Sequence, residues 1–275
     1  MPYITTSDGV KIYYEDHGQG ETLLFSHGMN SSHLKIKNFI DDFKGDYRLV
    51  CYDHRGHGAS ERASINMNLQ RLGRDLRELI EALELDDVTA IGHSMGGSTI
   101  FSYVNQFGCE RLKRIVDVDM SPCGRNSDWS GGIAQGRWTD EDFMRDMDRI
   151  FESPGRADWY LDKTMINPKL ANTPAEMENA MIALCGQGLD ALTMASMWFS
   201  LYRIDLRPAM EKITVPLLYV MPETPLFTME CVDYIRDHVK GGFTLEKDFP
   251  GTTHSILVEA PQMVADCIKR FINER

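Results

Sequence analysis

The chain has 275 residues, 43% hydrophobic and 25% charged, enough for one large α/β domain or two small ones around an apolar core. That balance excludes disordered, collagenous and disulfide-scaffold classes. A formal charge of −12 repels phosphate backbones and anionic lipid, which argues against nucleic-acid and membrane-surface partners.

In chain order, short apolar runs alternate with helix-period segments, the pattern of a mostly parallel sheet wrapped by helices. Residues 10–15 alternate and predict an early antiparallel strand. Residues 22–26 (TLLFS) and 47–53 (YRLVCYD) predict buried strands, each running into a loop rich in His and Gly. Leu69, Leu72, Leu76, Leu79, Ile80 and Leu83 follow a 3.6-residue period, so a helix comes next. Residues 87–93 and 112–120 predict further strands, with a helix over 97–107 between them. From 123 to 210 only helical stretches broken by Gly, Pro and Asn are found. Strand chemistry returns at 213–221 and 242–247, with helices over 229–238 and 261–274. The expected organisation is a core of 1–122 and 211–275 interrupted by a helical cap, 123–210.

The N-terminus lacks a basic segment followed by an apolar run, and no stretch approaches ~20 apolar residues, so the expected location is the cytoplasm. Cys51, Cys109, Cys123, Cys185, Cys231 and Cys267 are scattered without CxxC spacing and read as free thiols. No histidine–carboxylate spacing suits a metal, and neither GxGxxG nor a P-loop occurs, so neither metal nor cofactor is expected.

The strongest local signal is GHSMGG at 92–97, placed where a strand ends and a helix begins. A serine there occupies a strained turn with its hydroxyl raised above the sheet, and Gly92 and Gly96 supply the clearance. Ser94 is therefore the candidate nucleophile. It needs a base, and His254, in the loop after the last strand, emerges on the same sheet edge. The rings of His27 and His93 are not expected to reach the serine, while His17, His33 and His238 read as surface residues. The developing oxyanion needs donors, and the N–H groups of Met95 and Met29 fit, with Gly28 permitting close approach.

Together HGMN (27–30), DHRGHGAS (53–60), GHSMGG (92–97) and FPGTTHSILVEAP (249–261) resemble the α/β-hydrolase superfamily over essentially the whole chain. The resemblance implies an eight-stranded, mostly parallel sheet with a helical cap after strand 6, and a Ser–acid–His triad. It leaves the substrate open, since the superfamily spans esterases, lactonases, thioesterases, C–C hydrolases and perhydrolases.

The acid departs from the family pattern. After the seventh strand this chain reads Met221-Pro222-Glu223-Thr224-Pro225, with prolines where a glycine and an aspartate are expected. The alternative place is the end of the sixth strand, where Asp117 and Asp119 stand, the latter 25 residues after Ser94. Asp119 is the preferred acid and Glu223 the alternative, with Asp117 or an incomplete triad also open. Asp53 and Arg55 read as a structural Asp–Arg pair that ties the loop after the fourth strand to neighbouring backbone.

All four tryptophans (Trp129, Trp138, Trp159, Trp198) and eight of 16 methionines, Met165 and Met181 among them, fall within 123–210. They either pack short helices or roof an apolar cleft over Ser94. The expected function is a serine hydrolase, carboxylesterase-like, acting on a small-molecule ester, lactone or thioester with an apolar group. Perhydrolase (haloperoxidase-like) or C–C hydrolase activity on the same triad is the alternative, and a non-catalytic ligand receptor the alternative of another class. The Ser255-Ile256 pair after His254 counts against the C–C hydrolases, whose members often carry Trp there. Nothing in the sequence fixes the oligomeric state.

Overall fold

In a computed structural model of the chain, residues 2–168, 170–185 and 190–274 are described. Eight strands form one sheet: β1 (Tyr3–Thr5), β2 (Lys11–His17), β3 (Thr22–Ser26), β4 (Arg48–Tyr52), β5 (Val88–His93), β6 (Leu112–Val118), β7 (Leu217–Val220) and β8 (Phe243–Glu246). Their spatial order is β1-β2-β4-β3-β5-β6-β7-β8, with β1 and β2 antiparallel and the pairs from β4 to β8 parallel. The central strands β3 and β5–β7 are buried on both faces, which is why they read as unbroken apolar runs rather than alternating ones.

Helices cover both faces. The core carries α1 (Lys37–Asp41), α2 (Leu69–Ala82) and α3 (Met95–Phe107), and the segment between β6 and β7 carries α4 (Asp140–Glu152), α5 (Pro154–Leu161), a π-helical turn (Asp162–Ile166), α6 (Pro174–Cys185), α7 (Ala191–Arg203) and α8 (Arg207–Met210). Then follow α9 (Met229–His238), α10 (Ile256–Glu259) and α11 (Pro261–Asn273). One apolar cluster joins α2, α3, α7 and α9 on one face of the sheet; a second joins α1 and α11 on the other.

The ends of the β6–β7 segment meet. Cys123 and Asp205 form an isolated bridge, and Leu206 N–H donates to Pro122 O at 2.7 Å, so the helices leave and re-enter the sheet at one point. Three elements of the core differ from expectation, the four-residue α10 among them. The three-residue β1 is too short to show a period, and the five-residue α1 has no capping side chain. Cys51, Cys123, Cys231 and Cys267 are buried and Cys109 half-buried, all free, while the side chains of Cys185 and Met181 lie outside the described residues.

Candidate active site

Ser94 stands between β5 and α3 with φ 54° and ψ −124°, a backbone conformation strongly disfavoured for a residue with a Cβ. The turn persists because strand and helix pass too closely for anything but glycine on either side. A Cβ on Gly96 would lie 1.9 Å from Ser26 O, and one on Gly92 2.6 Å from the Gly96 carbonyl carbon. Met95 is the first residue of α3, so its N–H is one of the donors the helix leaves unbonded.

The loop after β3 comes up beside this turn. A Cβ on Gly28 would stand 3.2 Å from the Ser94 Cβ. His27 is fully buried, and burial holds its ring well below the usual imidazole pKa, so it is neutral. Its Nε2 accepts the His54 N–H at 3.0 Å, which makes Nδ1 the donor to Gly28 O at 2.7 Å. Because a trans peptide sets N–H opposite C=O, pinning the Gly28 carbonyl also fixes the Met29 N–H. Sequence reasoning assigned the His27 ring no such task. Only its place, one residue before Gly28, pointed to it.

Asp119 follows β6 with φ 49°, in the left-handed region that aspartate tolerates better than most residues. Its carboxylate is fully buried, and Oδ2 accepts both the Leu226 N–H at 2.9 Å and His254 Nδ1 at 2.8 Å. A carboxylate only accepts, so the ring carries a proton on Nδ1. The imidazole of His93 lies against that of His254, centroids 4.9 Å apart, and its Nε2–H donates to His254 O at 2.7 Å. Burial, with help from the neighbouring His254, lowers His93 to about 3, so it is a neutral strut.

The structure thus brings Asp119 and His254 into contact and sets both His254 and Ser94 on one cavity of about 100 Å³, which Gly28 and Met29 also line. Glu223 is engaged elsewhere: its Oε2 accepts the Gly251 N–H at 2.5 Å and so ties down the loop that carries His254. Asp117 is fully buried beneath, in register with Gly92 and Tyr219, and neither carboxyl oxygen has a partner among the described residues. Burial first, and then the Asp119 charge, push its pKa well above the carboxylate range.

Two expectations need correction. His33 is not a surface residue: its Nδ1 reaches Asp53 Oδ2 at 2.8 Å, and its backbone N–H donates to Asp53 Oδ1 at 2.7 Å. Asp53 and Arg55 do not pair with each other. Asp53 also accepts the Ala59 N–H, joining the loops after β3 and β4, while Arg55 reaches Asp75 at 2.6 Å and Asp8 at 2.9 Å. The chain turns just after β4, with the His57 N–H donating to His54 O at 2.9 Å, and this turn sends the two side chains to different partners.

Of the tryptophans and methionines in the β6–β7 segment, Trp198 and Met165 line the cavity, beside Leu161, Leu201, Leu226 and Leu257. Met194, Met197 and Met210 are packed in the core. Among the described residues no three His, Cys, Asp or Glu side chains group to hold a metal, and no helix is long and apolar enough to cross a membrane.

Comparison with known proteins agrees with this architecture. The chain is 36% identical over 126 residues to a non-heme chloroperoxidase, CPO-A1, of Kitasatospora aureofaciens, a match spanning 44% of this chain and only 45% of that relative. It is 26% identical over 97% of its length to 96% of 3-oxoadipate enol-lactonase 2 of Acinetobacter baylyi. The solved structure of an esterase from Exiguobacterium antarcticum superposes with a TM-score of 0.86 over 98% of both chains at 20% identity. Residues 21–161 match the family model described as alpha/beta hydrolase fold. With that match and the eight-stranded sheet, the chain belongs to the α/β-hydrolase family.

Proposed function

We propose that this α/β-hydrolase is a serine hydrolase of small carboxylic esters, or of related lactones or thioesters, with Ser94, His254 and Asp119 as its triad. The observation that carries the reading is the 2.8 Å bond from His254 Nδ1 to the buried Asp119, in a loop lining the same cavity as Ser94. With Nδ1 committed to Asp119, Nε2 is the atom that takes the Ser94 proton as Oγ attacks the carbonyl carbon. The N–H groups of Met29 and Met95 receive the charge that develops on the carbonyl oxygen. The imidazolium returns its proton to the departing alkoxide. A water, deprotonated by His254, then attacks the acyl-serine and frees Ser94. The helices of 123–210 act as a cap, with Trp198 and Met165 against the substrate. A cavity of about 100 Å³ is smaller than the roughly 150 Å³ void that accepts benzene, so the group it takes is small.

The test is hydrolysis of p-nitrophenyl acetate together with covalent labelling by a fluorophosphonate. Both are expected of the wild type and lost in Ser94→Ala; activity retained by that variant would sink the assignment. A second reading is favoured by the likeness to the chloroperoxidase. In it, hydrogen peroxide replaces water in the second step, leaving free Ser94 and a peracid. Addition of peroxide to the same assay, with peracid as the readout, separates the two.

A further inference from the structure

The cavity is lined by more than apolar side chains. From α5 and the π-helical turn, Asp158, Leu161, Asp162, Met165 and Ile166 all face it, so two carboxylates sit one turn apart among hydrocarbon. Like charges at that spacing oppose helix formation, and half-burying them adds a desolvation cost. A pair kept under both penalties is better explained by something that occupies the cavity than by the stability of the segment.

The rest of the lining neutralises them only in part. Asp158 Oδ1 accepts the Asn30 Nδ2–H at 2.7 Å, a neutral donor from the loop that also carries Met29. The Asp162 carbonyl accepts the Asn167 N–H at 2.7 Å, but its carboxylate has no hydrogen-bond partner among the described residues. Lys35 lines the cavity, and its charge acts on both carboxylates through space. The remaining ionisable neighbours are His254, neutral His93 and, near Asp162, Glu259, which adds negative charge. Burial first, then the mutual repulsion of the pair, raises Asp158 to about 6, and burial likewise raises Asp162.

Resting on the Ser94 hydrolase reading, we propose that the cavity is selective for small esters or lactones bearing an ammonium group, received by Asp162 with Asp158, and rejects those bearing a free carboxylate. A compact apolar body carrying one ammonium matches the lining: Leu161, Met165 and Trp198 for the body and the two carboxylates for the charge. Lys35 sharpens the choice by holding the site near one net negative charge.

The experiment uses three probes of nearly equal size, isopentylammonium, isopentanol and isovalerate, as competitors of fluorophosphonate labelling at pH 7.5. The amine is expected to protect at about tenfold lower concentration than isovalerate, with the alcohol between them. Asp162→Asn should bring that ratio close to one. Lys35→Met should widen it, so two charge changes of opposite sign must move one number in opposite directions. Equal protection by all three probes, stronger protection by isovalerate, or a ratio indifferent to Asp162→Asn would overturn the proposal. Calorimetry of the same probes on Ser94→Ala reads the charge preference without a reactive serine. Failure of the hydrolase assignment and failure of the ammonium selectivity are thereby told apart.

Discussion

The sheet edge and the β6–β7 helices hold their functional groups by different means. At the edge, backbone does the positioning. Residues 92 and 93 of β5 pair with 117 and 118 of β6, which pair with 219 and 220 of β7, so Ser94 and Asp119 leave adjacent strands at matched heights. Each then turns in a left-handed conformation. In the helical segment, side chains interlock instead. Asp146 accepts the indole N–H of Trp138 at 2.8 Å and of Trp198 at 3.1 Å, Phe143 stacks on Tyr202 at 4.4 Å, and the Arg149 guanidinium covers the Tyr160 ring. The difference predicts that single changes at the edge remove chemistry and leave the fold, whereas changes among the helices alter stability and pocket shape together.

The largest expected effect is Ser94→Ala, a loss of at least about 10⁴ in kcat with an unchanged melting temperature. A drop in melting temperature of many degrees would show that the edge is less independent of the fold than claimed. Next is the pair Asp119→Asn and Glu223→Gln. The first should lower kcat by about 10³–10⁴ through the wrong imidazole tautomer, and the second by less than about threefold. The reverse order would move the acid to the seventh strand.

Within the helical segment, Asp146→Ala leaves two indole donors unsatisfied and should destabilise by about 2–3 kcal/mol in urea titrations. Because Trp198 lines the cavity, KM should rise more than kcat falls. Asp146→Asn keeps an acceptor and removes the charge. Burial raises Asp146 to about 6, partly offset by the two indoles, so its folded pKa exceeds its unfolded one. The wild type therefore loses stability as pH rises from about 4 to 6. The advantage of Asp146→Asn should grow across that window and level off above it, at no more than about 3 kcal/mol. A difference independent of pH would mean that Asp146 titrates normally.

The smallest effect on rate belongs to Asp117→Asn, which relieves a buried carboxyl beside Asp119. Its stability relative to the wild type should rise with pH, from little difference at pH 4 to a clear gain at pH 8, with kcat nearly constant. Loss of activity there would make Asp117 part of the catalytic set.

The elements legible in the sequence were those with long periods or unbroken apolar runs, such as α2 and β5. Their local pattern and their burial demand the same thing. His33 misled because a lone polar residue near a loop reads as solvated, and only the Asp53 carboxylate brought in from the neighbouring strand buries it. The His27 ring was passed over for the related reason that its task, holding one carbonyl, depends on a partner 27 residues away.

By itself the sequence determined the strand–turn–helix setting of Ser94, the loop of His254 and the alternation that makes a parallel sheet, because local sterics and hydrophobic period decide each of these. It narrowed the acid to a few carboxylates on one sheet edge but could not rank them by distance. That ranking belongs to the tertiary structure. The register of β6 against β7 and the left-handed turn at Asp119 bring one carboxylate to 2.8 Å from the imidazole, while Glu223 is turned to a backbone N–H. The same holds for Asp158, Asp162 and Lys35, which are far apart in the sequence or merely acidic there, and which become one charged wall only when the helices fold over the cavity.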